Sequence, residues 1–198
     1  MAYSLDPLQD DCYENSTVLK NKFDIRDEKQ LGIMEQSITS ALIAKAFIDI
    51  PFENVDFNFY KRLHEYVFSD IYEWAGQVRD VNISKKGTNF CPAEKIETSG
   101  ERIFNSLSKH NYLKNLSFKD FIDKFTDLYC ELNYLHPFRE GNGRIHRLFL
   151  SMLVANTRKK LDFSKIDKDL FMIATIKSMS GDIFLLKDIF GENIKDNK

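Results

Sequence analysis

The stretch from residue 135 to 147 constrains the fold more than any other part of the chain, because it interrupts a helical pattern. Apolar residues repeat at helical spacing over residues 118–134 and again over residues 145–155. Pro137 ends the first repeat, since proline cannot continue a helix, while Gly141 and Gly143 permit a tight turn. We therefore predict two consecutive helices joined by a short polar loop.

This loop has the composition of an anion-binding turn. Successive backbone N–H groups in a glycine-rich turn can converge on an anion, and the following helix adds its positive end. If that helix begins near Asn142, Arg144 and Arg147 lie on one face of it. Guanidinium groups bind phosphate oxygens directionally, so the pattern suits a polyphosphate.

Two further side chains supply chemistry beside this turn. Glu140 can hold a hard divalent cation, and Mg²⁺ typically needs only one or two carboxylates besides waters and phosphate oxygens. His136, as a neutral imidazole, can take the proton of an attacking hydroxyl. The parts suit in-line attack on a nucleotide phosphate. The sequence has no G-x-x-x-x-G-K-[ST] motif, which argues against a P-loop enzyme.

Composition limits the alternatives. A chain of 198 residues with 43% hydrophobic residues and 17 phenylalanines can form one well-packed domain. The 28 basic and 30 acidic residues are interspersed, which gives no case for nucleic-acid binding. Cys12, Cys91 and Cys130 lack metal or disulfide spacing. The N-terminus lacks the pattern of a signal peptide, and no run approaches about 18 apolar residues, so we expect a cytoplasmic protein without a membrane segment.

The fold class predicted is all-α (mostly): a single helical domain over residues 25–198, preceded by an N-terminal arm over residues 1–24. Residues 78–91 alternate as a short β-hairpin, the only strand pair expected, although a plain connecting loop is the alternative. In the first helix, Leu31, Met34, Ile38, Leu42 and Phe47 are expected to face inward. The predicted helices cover residues 27–50, 57–75, 93–112, 118–134, 145–155, 166–179 and 183–190, with Asp27 and Ser117 as predicted N-caps. In the arm, Tyr13, Val18, Leu19 and Phe23 are expected to attach the segment to the surface of the domain.

The loop also carries a family resemblance. Residues 136–147 match every fixed position of the Fic signature H-P-F-x-[DE]-G-N-G-R-x-x-R. With residues 18–23, residues 71–79 and the hairpin ending at Phe90 and Cys91, the chain resembles the short bacterial Fic toxins of toxin–antitoxin pairs. That resemblance implies a helical fold whose hairpin, the flap, docks a target protein. It also implies transfer of AMP from ATP to a hydroxyl of that protein.

The resemblance assigns a role to each motif position. His136 becomes the general base, Phe138 a buried anchor and Glu140 the ligand of Mg²⁺. For the nucleotide, Gly141, Asn142 and Gly143 form the anion hole, and Arg144 and Arg147 hold the β- and γ-phosphates. In the flap, the turn is occupied by Thr88, Asn89 and Phe90. Residues 178–182 close the adenine pocket. By contrast, His64 and His110 are predicted to be structural or at the surface, and His146 to be a partner of neighbouring side chains.

Several functional alternatives stay open from the sequence. Relatives on this fold also transfer UMP, GMP or phosphocholine, or remove AMP, and a degenerate member could act as a binding or regulatory module. The intact His136 and Glu140 favour an enzyme. By resemblance, the targets are ATPase subunits of DNA gyrase and topoisomerase IV.

Regulation is also predicted from the resemblance. Fic proteins are commonly restrained by a glutamate in the pattern [ST]-x-x-x-E-[GN], which pairs with the second motif arginine, here Arg147. The nearest matches, around Glu53 and Glu192, have aspartate in place of the hydroxyl residue. We therefore expect a separate small antitoxin to supply the glutamate.

Overall fold

The structure is a computed structural model that describes residues 4–5, 11–85 and 88–196, apart from the side chains of Ser4, Leu5 and Thr88. The first ten residues of the predicted arm are thus almost entirely outside the described part, as are Lys86 and Gly87 of the predicted hairpin turn. The described helices are α1 Glu28–Asp49, α2 Phe57–Phe68, α3 Ile96–Lys109, α4 Phe118–Leu135, α5 Asn142–Asn156, α6 Lys168–Ser178 and α7 Phe184–Asn193.

Side-chain caps explain where several helices begin. Asp27, Asp56, Ser117 and Asp167 each accept a hydrogen bond from a backbone N–H of the first turn that follows. The predicted caps at Asp27 and Ser117 are confirmed. Helix α2 is shorter than predicted: it ends at Phe68, and the N–H groups of Ile71 and Tyr72 both bond to the Phe68 carbonyl in the turns that follow.

Helix α5 lies at the centre of the domain. It contacts both α2 and α4, and its apolar residues Ile145, Leu148, Phe149, Met152 and Leu153 are all buried, as their spacing predicted. Aromatic rings fill the space around it. The Phe149 ring lies against Tyr60 and Phe104, with ring centroids 5.4 and 5.2 Å away. The loop between α4 and α5 is therefore anchored in the core.

The predicted hairpin is confirmed, but its strands are short and it is not the only strand pair. Strands β2 Ile83–Lys85 and β3 Thr88–Asn89 pair antiparallel, with Ser84 opposite Asn89. Strand β1, Ser4–Leu5, pairs with the other edge of β2. A second sheet joins β4 Lys159–Leu161 to β5 Ile194–Asp196. These extra pairs join distant parts of the chain through two or three residues each, so alternation along the sequence could not reveal them.

Helix α1 buries only part of the face that its apolar pattern predicted: Leu31 is buried, and Ile38 and Leu42 are half-buried. Its buried residues are Leu31, Glu35, Thr39 and Ala46, whereas Met34 and Phe47 are 36% and 49% exposed. Among the described residues, α1 is also the one helix with the length and mean hydropathy, 1.2, of a membrane span. It nevertheless packs on α2, and its polar residues Glu35 and Thr39 contact Arg144 in the first turn of α5.

The described part of the N-terminal arm packs onto the domain. Val18 and Leu19 are buried in the core, and Asp11 forms an ion pair with Arg139 of the motif at 3.0 Å. Phe23, predicted to help attach the arm, is 45% exposed. The arm thus reaches the loop between α4 and α5.

Candidate active site

Buried contacts fix the loop between α4 and α5 at both ends. His136 ends α4 in the left-handed region, at φ 39° and ψ 59°. Phe138 is fully buried, stacked between Tyr60 and His64 with centroid distances of 5.6 and 3.9 Å. The Asn142 side chain accepts from the Phe138 N–H at 2.8 Å and donates to the Phe138 carbonyl at 2.6 Å. The Asn142 amide therefore stabilises the loop itself.

Gly141 is required at the start of α5. Its φ is +80°, and a Cβ there would lie 2.3 Å from the Phe68 ring. Because glycine has no side chain, α5 begins without a side-chain cap. The Gly141 N–H donates to Glu140 Oε1 at 2.8 Å, so a carboxylate oxygen already lies against the turn. The helix start thus has the backbone geometry of an anion site.

His136 is held as a neutral base. Its Nδ1 donates to the Asn133 carbonyl at 3.1 Å, which leaves Nε2 as the basic nitrogen. Phe90 stacks on the imidazole with ring centroids 3.9 Å apart. Burial lowers the pKa of His136 to about 3, and the positive charges of Lys85 and Arg79 act in the same direction.

Arg79 connects the flap to His136. Its Nε donates to the His136 carbonyl at 2.9 Å, and its two terminal nitrogens donate to the carbonyls of Val81 and Cys91, each at 2.6 Å. Its backbone N–H also bonds to the Pro137 carbonyl at 2.9 Å. Val81 and Cys91 flank the hairpin, so one guanidinium links both ends of the flap to the backbone of the catalytic histidine.

His64 supports the same loop from α2. Its Nδ1 accepts from the Gly76 N–H at 2.9 Å, and its Nε2 donates to the Glu140 carbonyl at 3.0 Å. The ring is fully buried, and burial lowers its pKa to about 3. The prediction that His64 is structural is confirmed; His110 is exposed, as also expected.

The two motif arginines differ in their surroundings. Arg144 Nη2 donates to Glu35 Oε1 at 2.8 Å and lies 3.5 Å from Glu140 Oε1. Arg147 forms no hydrogen bond or ion pair with any residue that the structure describes. Its Nη1 lies close to the first turn of α5, 3.3 Å from where a Cβ of Gly143 would be. Within the described part of the chain, a cationic group that has no ion-pair partner therefore flanks the helix start.

Glu140 is the side chain that fits a metal role. Its carboxylate is 30% exposed and lies at the anion turn. The described residues contain no group of three or more His, Cys, Asp or Glu side chains that could hold an ion by themselves. One carboxylate beside a phosphate site is the donor set that Mg²⁺ uses with nucleotides.

The flap residues and residues 178–182 differ in their contacts near His136. Phe90 contacts His136, whereas Asn89 is exposed on β3 and the Thr88 side chain is not described. Met179 accepts a hydrogen bond from the Asn133 amide at 3.2 Å, which brings residues 178–182 close to the base. His146 is buried and stacks on Tyr129 with centroids 4.6 Å apart.

Neither candidate inhibitory glutamate lies at Arg147. Glu53 and Glu192 are both exposed, and neither forms an ion pair with another described residue. Glu192 is followed directly by Asn193 and by β5, which pairs with β4.

The residues missed by the sequence analysis act through contacts distant in sequence. Glu35 and Thr39 reach Arg144 from α1, at 2.8 and 3.4 Å. The sequence pointed to Arg79 only as the last residue of the 71–79 segment that resembles the Fic family, without a role of its own. One signal was available for Glu35: it is an acidic residue within the apolar pattern of a long helix, at i+4 from Leu31.

Known proteins resemble this chain over nearly its whole length. Probable protein adenylyltransferase y4lH of Sinorhizobium fredii is 37% identical over 90% of each chain, and probable protein adenylyltransferase Fic of Escherichia coli is 28% identical over 93% of this chain and 91% of its own. The crystal structure of BepC from Bartonella tribocorum, with bound AMPPNP, superposes with a TM-score of 0.90 at 28% identity, covering 96% of this chain and 98% of BepC. The model of the Fic/DOC family matches residues 54–154, about half of the chain and including the whole motif loop, so this chain belongs to the Fic/DOC family.

Proposed function

We propose that this chain is a protein adenylyltransferase, which moves AMP from ATP to a hydroxyl side chain of another protein. The observation that carries the proposal is the position of a neutral, buried His136 one short loop before the uncapped, arginine-flanked start of α5. A base and an anion site are thus held together by the same loop. Relatives of similar length are named probable protein adenylyltransferases, which supports this reaction over other phosphoryl chemistry.

The reaction uses the residues of the loop in a defined order. The target hydroxyl loses its proton to His136 Nε2, and its oxygen forms a bond to the α-phosphorus. The bond between that phosphorus and the oxygen leading to the β-phosphate breaks, so pyrophosphate leaves with the electron pair. The first-turn amides of α5 and Arg147 bind the phosphates and orient the α-phosphorus.

Mg²⁺ is part of the proposal. Glu140 would hold it together with phosphate oxygens, and the ion would neutralise charge on the leaving pyrophosphate. The support is the partly exposed Glu140 carboxylate beside the anion turn. Nucleotide-bound structures of related Fic domains, with AMPPNP in BepC and ADP in a Bartonella quintana protein, support the binding of ATP by this chain.

The flap is proposed to dock the target. A target segment in extended conformation can add to a free sheet edge through its backbone, so recognition would tolerate different sequences. Since β1 already pairs with one edge of β2, the target would add to β3 or replace β1. By family resemblance, ATPase subunits of DNA gyrase and topoisomerase IV are the first targets to test, in the cytoplasm.

A separate antitoxin is proposed to restrain the enzyme. The support is electrostatic: Arg147 has no carboxylate partner among the described residues, and a glutamate presented to it by another protein would compete with the γ-phosphate. If so, the isolated chain is active and inhibits growth when expressed alone. Glu192→Gly should leave automodification unchanged, and a several-fold rise would show that the chain inhibits itself.

A nucleotide screen tests the proposed function directly. The chain is incubated with cell lysate and with ATP, GTP, UTP or CTP, each labelled on the α-phosphate. Label from ATP alone on a protein band, lost with His136→Ala, is the expected result. Label from another nucleotide would show a different nucleotidyl transfer. A parent protein that binds ATP without transferring label would instead be a regulatory module.

A further inference from the structure

Helix α1 lies outside the segment that matches the family model, yet it delivers a carboxylate to the motif. Glu35 Oε1 accepts from Arg144 Nη2 at 2.8 Å, and the Thr39 hydroxyl lies 3.4 Å from Arg144 Nη1. The Glu35 side chain is 12% exposed. Glu35 and Thr39 thus hold the Arg144 guanidinium from the side of α1.

A second carboxylate also lies within hydrogen-bond distance of this guanidinium. Glu140 Oε1 lies 3.5 Å from the same Arg144 Nη2, one helical turn away in sequence. At 2.8 Å from Arg144, Glu35 has the shorter and stronger contact. An arginine fully paired with Glu140 would neutralise the charge that a divalent cation needs.

We propose that Glu35 is a positioning residue: by the shorter of the two carboxylate contacts of Arg144, it draws Arg144 from full pairing with Glu140, and so keeps the Glu140 carboxylate available for the metal ion of the nucleotide complex. The inference rests on the proposed function, because it assumes that Glu140 is the metal ligand. It also explains why α1 buries Glu35 and Thr39 while leaving the apolar Met34 and Phe47 exposed.

The electrostatics of Glu35 agree with a specific ion pair between Glu35 and Arg144. Burial raises the pKa of Glu35, and Arg144 opposes that effect. A buried carboxylate is costly unless it is paired, so its presence on the buried face of α1 calls for a partner such as Arg144. The Arg144 guanidinium also lies 4.8 Å over the Phe68 ring, which limits its alternatives.

Metal binding, measured without turnover, tests the proposal. Mn²⁺ binding to the protein with AMPPNP is followed by electron paramagnetic resonance for the parent, Glu35→Gln, Arg144→Met and the double variant. We expect Glu35→Gln to raise the half-saturating Mn²⁺ concentration by at least about threefold, because Arg144 then pairs with Glu140. In the Arg144→Met background the same substitution should have no effect. Glu28→Gln, an exposed change in the first turn of the same helix, is the control and should match the parent.

The outcomes separate the two proposals. A parent that does not bind Mn²⁺ with AMPPNP would refute the proposed function and this inference with it. A parent that binds, with Glu35→Gln unchanged, would overturn the inference alone, as would an equal effect of Glu35→Gln with and without Arg144. If Glu35→Gln does not fold, Glu35→Asp replaces it, since it keeps the charge but withdraws the carboxylate by one methylene. Its effect on Mn²⁺ binding should likewise disappear in the Arg144→Met background.

Discussion

Removing the Arg79 guanidinium should loosen both the flap and the catalytic base. The structure gives this side chain hydrogen bonds to three carbonyls at 2.6 to 2.9 Å; the bonds to His136 and Cys91 are buried and the bond to Val81 is partly buried. Its acceptors are neutral carbonyls, and a buried carbonyl that loses its donor costs about 1–3 kcal/mol. Because the variant can relax around these three groups, we expect Arg79→Met to lower the free energy of unfolding by about 3–5 kcal/mol, in the lower part of the summed cost. For a domain of this size, each kcal/mol shifts Tm by about 2–4 °C, so Tm should fall by about 6–20 °C.

Arg102→Met is the matched control. Arg102 pairs with Glu131 at 2.9 Å, but its side chain is 63% exposed. Exposed ion pairs contribute at most about 1 kcal/mol, so Tm should fall by no more than about 4 °C. Thermal unfolding followed by circular dichroism gives both values. Equal shifts for Arg79→Met and Arg102→Met would refute the reasoning.

Arg79→Lys separates positioning from stability. The ammonium keeps the charge but cannot reproduce the planar fork that reaches His136, Val81 and Cys91 together. At a temperature where Arg79→Lys is folded, we expect binding of a fluorescent ATP analogue to match the parent while transfer falls. Hydrogen exchange at the Cys91 amide, bonded to the Tyr134 carbonyl at 2.9 Å, should quicken. Slowed transfer with unchanged exchange would contradict coupling through the flap.

Three further outcomes follow from the histidines. His136→Ala should retain nucleotide binding and lose transfer by at least about 100-fold, and comparable transfer by variant and parent would rule out His136 as the base. His64, His136 and His146 each have a pKa lowered to about 3, so the unfolded chain binds more protons below pH 6.5. The free energy of unfolding should therefore be full above pH 6.5 and fall toward pH 3, by about 1.4 kcal/mol per pH unit for each histidine. Denaturant unfolding at several pH values measures this loss. No loss between pH 6.5 and 4.5 would contradict the conclusion that these histidines are buried in the neutral form. Phe90→Ala should expose the imidazole of His136 and raise its pKa toward 6.5, so the pH–rate profile should gain an acid limb. The control is Phe184→Ala, which changes a side chain that is 76% exposed and should leave the profile as in the parent.

Local signals in the sequence determined most of the helices and the catalytic loop. Apolar residues at helical spacing marked α4 and α5, and Ser117 marked the start of α4, because caps and periodicity depend on residues close together in the chain. Pro137, Gly141 and Gly143 indicated the break between the two helices. The signature then indicated a family that the comparisons confirm.

Tertiary packing decided which residues surround that loop. The apolar pattern of α1 favoured Met34 and Phe47 as inward residues, yet the structure buries Glu35 because Arg144 lies opposite it. Periodicity describes how a helix would meet an apolar surface, whereas the surface that α1 meets carries a guanidinium. The same holds for Arg79, whose carbonyl acceptors on Val81, Cys91 and His136 lie 2, 12 and 57 residues from it in the chain. The contact with His136 exists only after folding.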